Sequence, residues 1–295
     1  MSNGKTVLVT GATGRQGGAV MRHLLQNNIN IKALSRSPES LQAQLLRTMG
    51  VDVVKGDMAD TLSLISAMRG CTGVFSVQNY FEYGGQKEVQ YGENLADAAK
   101  QSNVQHLVYS SVCGADTDTG VPHFETKNVI ERHIRKIGIP FTILRPVKFM
   151  GNYYIPQVFR GILGGKFFDP ISGGKKHQML AVDDVGRYAA AVFRHPEVHL
   201  SKTIDLAGDE LTNEDIAATM SEILGITIRF RKLPMPIVRL VMDKEMYLMF
   251  RWFNEKGFNA NREEMANSFA GVKATTLKEF LLRENWQRWN KKGTI

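Results

Sequence analysis

The sequence is poor in cysteine and has no long apolar run. Cys71 and Cys113 are the only cysteines in 295 residues, and no CxxC spacing points to a zinc or thioredoxin-like site. We therefore expect two free thiols and no metal site. No apolar stretch approaches the roughly 20 residues that span a bilayer, and the N-terminus lacks a secretory hydrophobic region with a cleavage site. These absences predict a cytoplasmic protein without a membrane span.

The chain also lacks a concentrated basic segment, although its net charge is +8. The dense basic stretches are only RFRK at 229–232 and NKK near the C-terminus, and neither a helix-turn-helix nor a zinc pattern accompanies them. Nucleic-acid binding is therefore not expected, and a solvated basic surface that also attracts an anionic cofactor is the simpler explanation. Hydrophobic residues at 43% and charged residues at 22% predict an ordered globular protein.

The first half of the chain alternates short β-branched runs with segments of helical spacing. This pattern predicts strands at 6–10, 30–35, 51–56, 73–77, 106–111 and 141–146. It predicts helices at 17–26, 38–49, 61–70, 87–102 and 126–138. Such alternation indicates an α/β fold with a Rossmann-type, doubly wound parallel sheet. All strand C-terminal ends would then share one edge, where ligands bind.

The pattern changes after about residue 150. Residues 164–178 are predicted as loop, 181–195 as helix, 202–208 as strand, 212–225 as helix, 226–232 as strand and 275–289 as mostly helical. We predict that residues 1–150, with 181–207 returning to them, form the NAD(P)-binding domain. Residues 151–180 and 208–295 would form a smaller, mostly helical lobe over the strand ends.

The first strand leads into a glycine loop and then a helix. Gly11, Gly14 and Gly17 have G-x-x-G-x-x-G spacing in VLVTGATGRQG. These glycines allow the tight turn, the approach of backbone N–H groups to a pyrophosphate and the close packing of helix on sheet. The strand–loop–helix context therefore predicts a dinucleotide site rather than a plain structural turn.

The second strand ends without the acid that usually holds the ribose 2′-hydroxyl of NAD. It ends in Ser35 and Arg36, and Arg36 could pair with a 2′-phosphate or be an ordinary surface charge. We therefore favour NADP(H) over NAD(H). Asp57, after the third strand, could accept a hydrogen bond from the adenine amino group or cap the next helix.

Several short motifs lie in order along the first half of the chain. They are VTGATGRQGG at 9–18, GD at 56–57, SVQNY at 76–80, YSS at 109–111, HFETKNVIE at 123–131 and LRPVKFMGN at 144–152. With these motifs the chain resembles NmrA-like proteins, an atypical branch of the short-chain dehydrogenase/reductase superfamily. The resemblance implies a Rossmann fold with NADP(H), in a family of regulators, redox sensors and quinone- or carbonyl-reducing enzymes.

The resemblance also implies which residues contact the cofactor. The glycine loop and Arg36 would hold its adenosine half, and Lys127 would bind the nicotinamide ribose. The full set implied is Gly11, Thr13, Gly14, Arg15, Gln16, Gly17, Arg36, Asp57, Met58, Gln78, Asn79, Lys127, Phe149 and Asn152. Gly151 stands where the family pattern FMEN has an acid, so no role of that acid is expected here.

The catalytic Tyr of the usual Tyr-x-x-x-Lys motif is missing. Lys127 is present, but His123 occupies the position of the Tyr. His123 could donate a proton near neutral pH, or it could be a loop residue at a helix start. Ser110 or Ser111, on the fifth strand, could orient a carbonyl. The candidate catalytic residues are thus Lys127, His123 and Ser110.

Two functions remain open at this point. One is an NADPH-dependent oxidoreductase of a small apolar quinone or carbonyl. The other is a non-catalytic NADP(H)-responsive sensor or regulator that binds a protein partner and exposes an apolar patch on its C-terminal lobe. Cys113, in the loop after the fifth strand, would be a redox thiol or an inert filler.

Overall fold

Seven parallel strands form the central sheet of the protein, whose computed structural model describes residues 4–290. This described part of the chain contains twelve strands, of which seven form the central sheet. In chain order the twelve are β1 (Thr6–Val9), β2 (Asn30–Ser35), β3 (Asp52–Lys55), β4 (Gly73–Ser76), β5 (His106–Ser110), β6 (Phe141–Pro146), β7 (Lys148–Phe149), β8 (Lys166–Asp169), β9 (His177–Leu180), β10 (Lys202–Leu206), β11 (Asp209–Leu211) and β12 (Arg229–Lys232). The central sheet has the order β3-β2-β1-β4-β5-β6-β10. The strand order reverses between β1 and β4, which is where a doubly wound sheet binds its ligand.

Helices cover both faces of this sheet and build most of the second half of the chain. They are α1 (Arg15–Gln26), α2 (Leu41–Thr48), α3 (Thr61–Ala67), α4 (Tyr80–Tyr83), α5 (Gly85–Gln101), α6 (Pro122–Ile137), α7 (Pro156–Leu163), α8 (Val182–Arg194), α9 (Pro196–His199), α10 (Asn213–Leu224), α11 (Met235–Val241), α12 (Lys244–Glu255), α13 (Arg262–Ser268) and α14 (Leu277–Arg283). Two 3₁₀ helices span Met150–Tyr154 and Trp286–Asn290. The predicted Rossmann-type α/β fold is confirmed.

The core divides into a layer on each face of the sheet. Val7 and Val9 of β1 pack into one hydrophobic cluster, with helices α1 and α8. Leu8, between them, packs into the other cluster, with α5 and α6. Alternate residues of a strand point to opposite faces, so a strand that is apolar at every position is buried on both sides. This explains why the sequence shows continuous apolar runs here.

A third hydrophobic cluster joins many of the elements after β6. It includes Met150, Met220 and Trp286, and it lies beside the small sheet β11-β9-β7 and the strand pair β12-β8. Helix α10 carries a capping box: Thr212 accepts from the backbone of Asp215, and Gly225 ends the helix with a left-handed φ of 65°. No helix of residues 4–290 is long and apolar enough to cross a membrane.

Several local predictions were wrong in their bounds. Residues 164–178 are not entirely loop, because β8 and the start of β9 lie there and pair with strands from later in the chain. Helix α2 begins at Leu41 behind an N-cap at Ser40, not at Pro38. Helix α6 begins at Pro122, four residues earlier than predicted, because a proline fits the first turn of a helix. His123 therefore lies in that first turn and not in a loop.

Candidate functional site

The glycine loop joins β1 to the N-terminus of α1 at the C-terminal edge of the sheet. Gly11 has a φ of +61°, a left-handed conformation that favours glycine. A Cβ on Gly17 would lie 2.3 Å from the Gly11 carbonyl oxygen, so only glycine fits there. Gly14 is the N-cap of α1, which has neither a side-chain cap nor an acidic residue in its first turn. The loop therefore presents uncapped backbone donors at a positive helix end, as an anionic pyrophosphate requires.

Ser110 connects the end of β5 to this loop. Its hydroxyl donates to Gln16 Oε1 at 2.7 Å. The neighbouring Ser111 is directed to the opposite side, where its hydroxyl donates to Glu131 at 2.5 Å. Of the two serines in the motif, Ser110 is thus the one beside the candidate cofactor cleft. Thr13, Gly14 and Arg15 are exposed at the same edge.

Gln78 follows β4 and is buried at the centre of the site. Its Nε2 donates to Ser76 Oγ at 3.0 Å, whereas its Oε1 has no partner among residues 4–290. An unpaired buried amide oxygen is costly and indicates a missing hydrogen-bond donor. Met58 lies against the same amide, with its sulfur 3.8 Å from Gln78 Nε2. Asn79 has a local role, because its side chain accepts from Phe81 N and caps α4.

Lys127 is held on the other side of Gln78. Its Nζ donates to the Gln78 carbonyl at 3.2 Å and to Glu88 Oε1 at 2.8 Å. Glu88 is fully buried, and its second carboxylate oxygen accepts from Thr126 at 2.5 Å. An ammonium has three donors, so two are used here and one remains for a ligand hydroxyl. Lys127 is thereby fixed at the end of β4, one strand away from the glycine loop.

The residues predicted for the adenosine half lie further along the same edge. The Arg36 side chain is 63% exposed, with Glu82 at 3.7 Å and the ring of Tyr83 at 6.0 Å. Asp57 accepts from Ala59 N at 2.9 Å in a local turn. The alternative that Asp57 caps the next helix is wrong, since Asp60 caps α3. Because the Arg36 side chain is exposed and its contact with Glu82 is long, the guanidinium can turn towards an anion.

The segment after β6 approaches the glycine loop from the opposite side. Arg15 Nη1 lies 3.4 Å from the Gly151 carbonyl, so the loop and this segment are in contact. Phe149, on β7, is half-buried against the main core, and Asn152 is exposed. An acid at position 151 would have stood beside Arg15, and the glycine leaves that guanidinium without a carboxylate there. Residues 149–152 therefore border the glycine loop.

His123 connects α6 to α12, a helix of the C-terminal part of the chain. Its Nδ1 lies 2.5 Å from Glu245 Oε1, on α12. The rings of Tyr80, Phe81 and Phe124 surround the imidazole, with centroids 5.8, 5.3 and 4.7 Å away. Burial lowers the pKa of His123, and the Glu245 carboxylate opposes this shift. His123 and Lys127 are separated by one helical turn and lie on the same face of α6.

Cys113 and Cys71 are free and buried thiols. Burial raises the pKa of the Cys113 thiol, and the nearby Asp205 carboxylate raises it further. A thiol of this kind stays protonated at neutral pH and is a poor redox nucleophile. The observed environment therefore favours the interpretation of Cys113 as an inert filler. Among residues 4–290, no group of three or more His, Cys, Asp or Glu side chains could hold a metal ion.

The structure adds two residues that the sequence analysis did not include among its candidates. Glu88 holds Lys127, and Glu245 holds His123. Tyr80, the last residue of the SVQNY motif, lies against the His123 ring. Glu245 is 122 residues from His123 in the chain, so no local spacing could have paired them. Burial raises the pKa of Tyr80 to about 12, with a further contribution from Glu245. Tyr80 therefore carries its proton at neutral pH.

The family of the chain follows from its match to known proteins. The model of the NmrA-like family matches residues 3–281. The chain belongs to the NmrA-like family. A relative in Dictyostelium discoideum, an NmrA-like family domain-containing protein, is 29% identical over 96% of this chain and 99% of its own length. An NmrA-like oxidoreductase of Malbranchea aurantiaca, malD, is 29% identical over 79% of this chain and 77% of its own length.

Solved structures share the fold. An NADPH-dependent quinone oxidoreductase of Escherichia coli, complexed with NADPH, has a TM-score of 0.81 and 24% identity over 94% of this chain and 99% of its own. The triphenylmethane reductase of Citrobacter sp., complexed with NADP(H), has a TM-score of 0.79 and 22% identity over 95% and 99%. NmrA, a negative transcriptional regulator in complex with NADP, has a TM-score of 0.77 and 19% identity over 98% of both chains. At these identities the likeness shows the fold alone.

Proposed function

We propose that the protein is an NADPH-dependent oxidoreductase that reduces a small apolar quinone or carbonyl compound. The observation that carries the proposal is the position of Lys127, held by Glu88 and the Gln78 carbonyl one strand away from the uncapped glycine loop. This arrangement places a spare ammonium donor and a helix N-terminus on the same sheet edge. Relatives named as oxidoreductases, such as malD, support a redox reaction.

The residues present fit NADP(H). Any Cβ at Gly17 would fill the space within the glycine loop. The unpaired Oε1 of buried Gln78 would accept a hydrogen bond from the ligand. Residues 11–17 would hold the pyrophosphate, with Asp57 and Met58 beside the adenine. Lys127 would bind the nicotinamide ribose, and Phe149 and Asn152 would cover the nicotinamide. When bound, NADPH supplies a hydride.

Arg36→Ala is expected to weaken NADPH binding about tenfold while NADH binding stays within twofold. The loss corresponds to one charge-assisted hydrogen bond to the 2′-phosphate. The free energy of this bond should be at the low end of the usual range, because the Arg36 side chain is exposed. Fluorescence titration with NADPH and with NADH measures the two affinities. Arg47→Ala is the matched control, since Arg47 is also an exposed arginine and lies on the next helix. Equal losses for both dinucleotides would contradict the preference for NADP(H).

Single-turnover oxidation of bound NADPH tests the function itself. We expect rapid loss of NADPH fluorescence with one class of acceptor in a panel of quinones and aldehydes. Lys127→Ala should slow this oxidation at least tenfold, because the ribose loses a positioned donor. Lys100→Ala, an exposed lysine on α5, should leave it unchanged. Tight NADPH binding without oxidation by any acceptor would overturn the proposal.

The domain arrangement is part of the same proposal. Residues 1–150 with 181–207 would form the cofactor-binding domain, and residues 151–180 with 208–295 the lobe that shapes the substrate side. Residues 1–3 and 291–295 of these ranges lie outside the described part of the chain. A cytoplasmic location, where thiols stay reduced, fits the two free cysteines.

One observation favours the regulator as a second candidate. Helix α11 exposes apolar side chains, with Leu240 85% and Val241 63% accessible, on the C-terminal lobe. An NADP(H)-responsive regulator would use such a patch to bind a protein partner, and NmrA is itself a regulator of this fold. Two of the four aromatic residues of α12 do not contribute to the patch, because Trp252 and Phe253 are buried. Tight NADPH binding without oxidation by any acceptor would favour this second candidate.

A further inference from the structure

We propose that His123 and Glu245 form a dyad that delivers a proton to the reduced acceptor, with Glu245 as the positioning residue for the His123 ring. The inference rests on the proposed reductase function and adds the source of the proton. It also adds Glu245, which lies far from the cofactor-binding motifs in the chain.

The position of His123 supports this role. It lies four residues before Lys127, a backbone rise of roughly 6 Å along α6. Both side chains face the segment after β4: Lys127 contacts the Gln78 carbonyl, and the His123 ring contacts Tyr80 and Phe81. His123 thus stands beside residues 78–81, the same short segment that Lys127 contacts. A side chain there can reach an acceptor that lies against the nicotinamide side.

Glu245 controls the orientation and the tautomer of the ring. It accepts from the His123 ring at 2.5 Å and from the His123 backbone N–H at 3.2 Å. An ionised carboxylate only accepts, so Nδ1 carries the proton in this contact. Nε2 makes no hydrogen bond within residues 4–290 and remains available. The same carboxylate–imidazole arrangement fixes the proton-transfer nitrogen in hydrolytic triads.

The charges around the ring come from four elements. Glu245 on α12 and Glu88 on α5 favour the imidazolium, whereas Lys127 on α6 disfavours it. Tyr80 on α4 is neutral at physiological pH. Burial exceeds the favourable contributions, and the pKa of His123 stays below its ordinary value. The ring is therefore neutral in most molecules at pH 7 and becomes charged as the pH falls.

The reaction that this dyad would serve balances with one hydride and one proton. Bound NADPH would supply this hydride and be oxidised to NADP⁺, and the two electrons would reduce the quinone to the hydroquinone monoanion. The proton leaves Nε2 of the His123 imidazolium for the anionic oxygen, which completes the hydroquinone. His123, now neutral with its Nδ1 proton on the Glu245 side, regains a proton from solvent.

A cationic acceptor separates proton delivery from every other role of the dyad. A triarylmethane dye cation takes the hydride at its central carbon and becomes neutral without any proton. If the dyad only held α6 against α12, its loss would slow the reduction of both acceptors equally, because both reactions need the same bound cofactor. Proton delivery affects only the quinone. The ratio of the two single-turnover rates therefore reports the proton step.

Glu245→Gln and His123→Gln are the test variants, and Glu255→Gln on the exposed side of α12 is the control. With a methylated benzoquinone we expect His123→Gln to be at least tenfold slower and Glu245→Gln several-fold slower. With the dye both should stay within twofold of the wild type. The wild-type quinone rate should fall as the pH rises through the His123 pKa, and Glu245→Gln should shift this fall to lower pH. Equal slowing with quinone and dye would overturn the inference.

A titration of the His123 ring by NMR gives a readout that needs no cofactor. The wild-type ring should carry its neutral-state proton on Nδ1, and Glu245→Gln should lower its pKa because an opposing negative charge is removed. An unchanged pKa and tautomer in Glu245→Gln would contradict the role of Glu245. If neither acceptor oxidises NADPH in the wild type, the proposed function itself fails, whereas an unchanged quinone-to-dye ratio in active variants refutes only the dyad.

Discussion

Gly17→Ala is expected to weaken NADP(H) binding by at least about 100-fold. The added Cβ would lie 2.3 Å from the Gly11 carbonyl oxygen and 2.4 Å from that of Thr10. Both are backbone atoms of the loop, so no side chain can move aside and the loop itself must shift. Such a shift displaces the donors of the pyrophosphate cradle, each of which needs an N···O distance near 2.9 Å.

The apo form of the same variant should remain folded. Overpacking of this kind typically costs about 1–3 kcal/mol, which a chain with two large core layers tolerates. NADPH titration by fluorescence and thermal unfolding of the apo protein measure the two effects separately. A variant that binds NADPH as the wild type does would show that the pyrophosphate lies elsewhere.

Alanine substitutions at two other glycines provide a comparison for Gly17→Ala. A Cβ on Gly14 would lie 3.2 Å from the Gly11 carbonyl oxygen, a tight contact that a small adjustment relieves. Gly14→Ala should therefore weaken NADPH binding less than Gly17→Ala. Gly174 has open space around its Cα and no left-handed φ, so Gly174→Ala should leave binding unchanged. This graded order is expected from backbone geometry alone.

The sheet and the glycine loop could be predicted from the sequence because their signals are local. Strand β1 shows a buried run, the loop shows three glycines at the required spacing, and α10 shows its caps within 14 residues, at 212–225. Each of these signals reflects steric or hydrogen-bonding demands between near neighbours in the chain. The predicted fold was therefore right even where single bounds were not.

The chemical partners of the site could not be predicted, because they come from distant parts of the chain. Glu88 lies 39 residues before Lys127, and Glu245 lies 122 residues after His123. Neither glutamate belongs to a motif, and each would be taken for a solvated helix charge. Strands β8 and β9 were missed for a related reason, since their partners β12 and β11 follow later in the chain. Only the three-dimensional packing shows these pairings.

The second large effect concerns an ion pair beneath the site. Glu131, fully buried on α6, accepts from Arg145 Nε at 2.8 Å and from Arg145 Nη2 at 2.6 Å. It also accepts from Ser111 at 2.5 Å and from Arg135 at 3.1 Å. The carboxylate thus joins α6 to β6 and to the end of β5, the strand that carries Ser110. Both charges are desolvated, so each depends on the other.

Glu131→Leu is expected to destabilise the protein by about 3–5 kcal/mol. The substitution leaves the Arg145 guanidinium, only 6% exposed, with the exposed Asp116 as its remaining ionic partner in the described chain. Urea denaturation followed by circular dichroism measures the loss. Glu39→Leu is the control, because the Glu39 side chain is 85% exposed and its pair with Arg47 should contribute less than about 1 kcal/mol.

Removal of both charges should be less harmful than the two single losses suggest. Arg145→Met alone leaves the Glu131 carboxylate buried, with Ser111 and the partly exposed Arg135. In the double variant Glu131→Leu, Arg145→Met, neither buried charge remains without its partner, so the loss should be smaller than the sum of the single losses. Strict additivity would show that the pair is not coupled, and that the cost of Glu131→Leu comes from altered packing. A clearly sub-additive loss would identify the buried ion pair as the unit that holds α6, and with it Lys127 and His123, against the sheet.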